Sequence, residues 1–166
     1  MKMGAQDVVL KNFEFDVPVD DILVSMDIPE GYTTAQMQLD LSNPTEEDFV
    51  AILTVLARDV LDGQFPDILN TQEFMSLIGP LQQALGKKGV SQAEGEKIGE
   101  YYAKGMIFMQ LFELHHKGTC QYLGKGVKFG EADKAVFWYK WKDAATYRVI
   151  YGDMSVKDVT EENLPK

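Results

Sequence analysis

Apolar positions change rhythm twice along these 166 residues. Between Thr45 and Gly63, Phe49, Ile52, Leu53, Leu56 and Val60 recur at helical spacing. Thr45 is placed to cap that helix, Glu46-Glu47-Asp48 suit the dipole of its first turn, and Gly63 marks its end. Thr71 opens a shorter helix that ends or kinks near Gly79-Pro80, and Gly86-Lys87-Lys88-Gly89 reads as a flexible loop. Ser91-Gln92-Ala93-Glu94 is a capping box. Behind it Ile98, Tyr101, Tyr102, Phe108, Met109 and Phe112 form a broad apolar stripe, closed by Lys117-Gly118. Gly105 falls within this stripe and predicts close approach of a neighbouring element.

The rhythm on either side is that of strands. Val8–Val17 and Tyr32–Leu41 alternate apolar with polar residues, separated by a turn at Pro29-Glu30-Gly31. At the other end, Ala135–Trp141, Tyr147–Tyr151 and Met154–Val159 are aromatic and β-branched, divided by Lys142-Asp143 and Gly152-Asp153. A turn centred near Ala144 would set Phe137 opposite Tyr151, Tyr139 opposite Val149 and Trp141 opposite Tyr147. Those six would then share the buried face, and Val136, Trp138, Lys140, Arg148 and Ile150 the other. The expectation is an α+β fold, with three or four helices packed on one face of an antiparallel C-terminal sheet. Residues 1–41 form a separate N-terminal piece, the possible remnant of a larger domain, and residues 42–166 hold the helices and sheet.

Charge narrows the partners. The net charge is −10, with 3 basic and 15 acidic residues over positions 1–78 and 13 basic and 11 acidic over 79–166. An acidic surface repels phosphates and anionic head groups, so nucleic acid and anionic membranes are poor partners. No apolar run is long enough for a membrane span, and the amino-terminal residues do not read as a signal peptide. Cys120 is the single cysteine, which excludes an internal disulfide.

Candidate chemistry is sparse. His115, His116 and Cys120 are the one cluster of transition-metal donors, but adjacent helical residues point about a hundred degrees apart, so no metal is expected there. Gly124-Lys125-Gly126-Val127-Lys128-Phe129-Gly130 lacks the Lys-Ser/Thr ending and following helix of a phosphate loop, and reads as an entry strand with glycine bends. Asp16, Asp20, Asp21 and Asp27 do not match a calcium loop, and no nucleophile elbow is present. No cofactor is expected. The candidate contact patch is Trp138 with Lys140 and Arg148, on the strand face away from the helices, because tryptophan and arginine are common interface anchors.

Two strings carry a resemblance. Phe137-Trp138-Tyr139, and Tyr147-Arg148-Val149-Ile150-Tyr151-Gly152-Asp153 followed by Ser155-Val156, resemble the ending of a group of uncharacterised extracytoplasmic proteins of planctomycete-type bacteria. The segment from Phe13 to Leu23 with Pro29-Glu30-Gly31-Tyr32 is similar to the end of lipoprotein-carrier-like or sigma-factor-regulator-like periplasmic domains. Asp62-Gly63-Gln64-Phe65-Pro66 resembles the helix-to-loop junction of pseudopilin-like proteins. The resemblance implies a non-catalytic module of the periplasm or cell envelope that binds a protein partner or a small apolar ligand. It supplies no catalytic residue. The alternative expectation is a small enzyme with a site built from acids or from His115 and His116. Self-association through an open sheet edge is also expected.

Overall fold

The computed structural model describes Gly31, residues 40–115 and residues 119–166. The chain divides into two units, Met1–Gln36 and Met37–Lys166. The strand expected over 8–17, all but the last two residues of that expected over 32–41, and the four early aspartates lie outside the described residues, and Asp40 and Leu41 are not in a strand.

Helix α1 spans Glu46–Val55 and continues as a π turn, Leu56–Val60. Thr45 and Asp48 close a reciprocal capping box at its start. Helix α2 is short, Thr71–Ser76, capped by Asn70. Helix α3 follows at once, Ile78–Lys88, and here the sequence reading needs correction. The expected end of the short helix near Gly79-Pro80 falls slightly earlier, at Leu77 between α2 and α3, and Pro80 sits in the first turn of α3, where its missing N–H has no intrahelical duty. The expected loop 86–89 is mostly the last turn of that helix, and Gly89 alone (φ 64°) provides the left-handed stop. Helix α4, Gln92–Gln110, carries the Ser91–Glu94 capping box and runs into a second π turn, Leu111–His115.

Four strands follow as an antiparallel meander in the order β1-β2-β3-β4: Cys120–Tyr122, Ala135–Tyr139, Tyr147–Tyr151 and Val156–Val159. The β2–β3 register differs from expectation by one residue. Phe137 pairs with Ile150, Trp138 with Val149 and Tyr139 with Arg148, while Ala135 pairs with Tyr151 across an irregularity at Val136. The pairs are symmetric about the Asp143–Ala144 bond instead of Ala144 itself, and within the connection Ala144 N–H donates to the Trp141 carbonyl. Phe137, Tyr139, Arg148 and Ile150 therefore face the helices, and Tyr147, Val149 and Tyr151 share the opposite face with Trp138.

The helices cover one face of this sheet, as an α+β fold requires. Phe49 of α1 meets Phe108 and Phe137 at ring separations of 5.4 and 5.3 Å, and Phe112 meets Tyr139 at 4.7 Å. Phe49, Ile52, Leu53, Phe108, Phe112 and Ile150 are almost wholly buried. Trp141 packs tilted against Phe112, ring centres 4.7 Å apart, but stays 40% exposed at the margin. Where α1 crosses α4, a Cβ on Gly105 would stand 2.5 Å from Ile52 Cγ2 and 3.2 Å from the Phe49 backbone, so this glycine sets the helix separation.

The glycine-rich stretch 124–130 is a loop and not the expected entry strand. Gly126 and Gly130 take positive φ (76° and 98°), which bends the chain back on itself. Its Val127 carbonyl accepts from Phe65 N–H at 3.3 Å, and Phe129 N–H donates to the Gly63 carbonyl at 2.8 Å. Ala57, Phe65, Val127 and Val136 form a second small core beneath it. Among the described residues, no helix is long and apolar enough to cross a membrane.

Candidate functional site

Two concavities flank α3. On one side, α3 and α4 diverge to leave an apolar groove of about 250 Å³. Ile78, Leu81 and Leu85 form its α3 wall, and Ile98 and Tyr102 its α4 wall. Gly95 and Gly99 lie one helical turn apart on the same α4 face and line it too. Among the described residues, no neighbouring heavy atom stands within 4 Å of where a Cβ would project at either glycine. The Tyr102 hydroxyl donates to the Phe74 carbonyl, and burial pushes its pKa up to about 12. Gln82 brings an amide to the lining. What this groove offers is dispersion contact and the release of water from apolar walls.

On the other side, a polar cleft of about 390 Å³ separates α3 from the π turn of α1. At its base Asp59 accepts from Arg58 Nε and Nη2 at 2.8 and 2.9 Å, and Lys88 Nζ of α3 lies 2.6 Å from the same carboxylate. The Asp59 side chain is 5% exposed, that of Lys88 49%. The Arg58 guanidinium first, and Lys88 after it, hold the Asp59 carboxyl down at about 2. Asp59 therefore stays ionised through neutral and mildly acidic solution.

A third polar cluster joins α1 to the sheet. Glu46 accepts from Arg148 Nε and Nη2 at 3.0 and 2.6 Å and also from the Tyr139 hydroxyl. Arg148 reaches Asp158 on β4 as well, at 3.3 Å. Burial, and then the Glu46 carboxylate, push the Tyr139 hydroxyl well above its usual range, so it acts here as a donor. With its carboxylate bonded by two partners, Glu46 serves as a clamp between layers.

The structure separates the residues of the expected contact patch. Trp138 is 8% exposed, lying on the sheet face away from the helices, where its ring meets Tyr147 edge-on at 5.4 Å. Lys140 Nζ sits 4.7 Å from the centre of the Tyr147 ring on that face. Arg148 points to the helix side and is held by Glu46. The three do not form one surface, because the register shift carries Arg148 across the sheet. Among the described residues, nothing accepts a hydrogen bond from the buried Trp138 Nε1. Trp138→Phe should therefore cost less than about 1 kcal/mol, since deleting an unmet buried donor offsets the lost ring contacts. Urea melts of the two proteins would measure it, and a loss near the usual tryptophan truncation value would refute the assignment.

His115 ends the α4 π turn, Cys120 begins β1 half-buried, and His116 lies outside the described residues. Among the described residues no three His, Cys, Asp or Glu side chains gather as metal ligands. Sequence reading missed the groove. Its one signal was the pair Gly95 and Gly99, spaced i,i+4 beside Ile98 and Tyr102 in the longest helix. Comparison with known proteins returns no matching family model, no matching curated protein and no matching solved structure.

Proposed function

We propose that this protein is a non-catalytic binding module that captures a compact apolar group in the groove between α3 and α4. The observation that carries the reading is the pair of glycines in its lining. A glycine inside a helix costs about 1 kcal/mol relative to alanine, and among the described residues no packed neighbour requires it at Gly95 and Gly99. The open space above them, between apolar walls, gives a guest room to enter. Its size limits the guest: about 250 Å³ exceeds the roughly 150 Å³ cavity that admits benzene but falls short of drug-sized sites. One aromatic ring system or a short branched aliphatic group fits, whether carried by a small molecule or by a partner's side chain.

Titration with indole, followed by NMR, tests this. Shifts should cluster on Leu81, Leu85, Ile98 and Tyr102. Gly99→Leu should weaken binding at least tenfold while the protein melts no lower than wild type. Unchanged affinity in Gly99→Leu, or shifts scattered over the sheet, would sink the proposal. Joined to the resemblance of the C-terminal strings, the same module would act in the cell envelope, which fractionation of cells expressing the gene would check.

A further inference from the structure

The lining of the two concavities shows how α3 is held. Pro80, Gln83, Ala84 and Lys87 line the polar cleft, whereas Ile78, Leu81, Gln82 and Leu85 line the groove. At 3.6 residues per turn these sets occupy opposite flanks of one helix. Space thus lies on both sides of α3, and of its eleven residues only Leu81 is buried. Leu77 and Leu81 anchor its amino end in the core. Toward its carboxyl end Leu85 packs partly buried against the same core, and Lys88 ties that end across the cleft to Asp59.

Left to itself, that carboxyl end has reason to move. Leu85 and Ile98 face a groove whose closure would remove apolar surface from water, a gain on the order of 25 cal/mol per Å². The one ionic tie on α3 among the described residues pulls the other way, toward the π turn of α1. We infer that the Lys88–Asp59 ion pair is a strut that holds α3 off α4 and keeps the groove open, Lys88 being a positioning residue for a site it does not line. The inference rests on the groove-binding proposal for its ligand readout alone. The strut is releasable because Asp59 keeps both Arg58 hydrogen bonds when Lys88 leaves, so no buried charge is stranded. Lys88, half exposed, returns to water.

Lys88→Met removes the ammonium group and keeps the stem, and Lys88→Gln guards against an effect of methionine packing. In both, methyl NOEs between Leu85 and Ile98 should strengthen at least twofold as the groove narrows, and indole should bind about fivefold more weakly. Lys88→Arg should restore both readouts. Unchanged NOEs in two folded variants would overturn the strut, as would Lys88→Arg behaving like Lys88→Met. Should the NOEs respond while indole binds none of the proteins, the strut stands and the groove-binding proposal falls.

Discussion

Gly105→Ala is expected to lower stability by about 2 kcal/mol, although alanine is the better helix former. The added methyl meets Ile52 Cγ2 and, behind it, the Phe49 backbone. The side chain can turn aside but the backbone cannot without parting α1 from α4. Overpacking of this kind costs about 3 kcal/mol at its upper typical value, and the helix-propensity gain of about 1 kcal/mol offsets part of it. Gly99→Ala, in the same helix, should instead stabilise by about 0.5–1 kcal/mol, because its methyl enters open space. Denaturant melts of the two variants should thus move in opposite directions. Equal shifts would mean that helix propensity alone governs both positions, and the assigned crossing point would be wrong.

Glu46→Ala should cost about 2–3 kcal/mol. Three charge-assisted hydrogen bonds end on this carboxylate, and such bonds contribute roughly 1.5–3 kcal/mol when broken singly. The sum does not apply here, because Arg148 is about a third exposed and keeps Asp158 and water as partners. The loss falls mainly on Tyr139, whose hydroxyl would lose its acceptor in a nearly closed core. Tyr139→Phe alone should therefore cost about 1 kcal/mol, and adding it to Glu46→Ala should cost almost nothing more. A double-mutant cycle by urea denaturation measures that coupling, and strictly additive losses would refute a shared network.

The helices that announce themselves locally were the legible ones. Thr45 with Asp48, and Ser91 with Glu94, are complete capping signals within four residues, and the stripe from Ile98 to Phe112 needs nothing beyond α4 to be seen. Helix α3 was hidden because Pro80 and Gly86 are breakers in most positions, and only three-dimensional context shows Pro80 in a first turn. The β2–β3 register turned on where a loop closes and on an irregularity at Val136, neither of which alternation records. One residue of error was enough to misplace Arg148, and with it the contact patch. The groove was illegible for a related reason. Its walls come from two helices far apart in pattern, and the pair Gly95 and Gly99 marks only one of them.

Both long helices finish in a π turn, and in α1 that turn presents Asp59 to Lys88. A π turn closes its hydrogen bond one residue later than an α turn. That wide turn already absorbs one extra residue, so a further residue added ahead of Asp59 would rotate every later position by about a hundred degrees. Asp59 would swing away from α3, and the exit toward Phe65 would miss Val127. This stretch can accept many exchanges of one side chain for another and still fold the same way. What it cannot accept is a longer count, so the length of the chain between Val55 and Phe65 is itself fixed by the packing on either side.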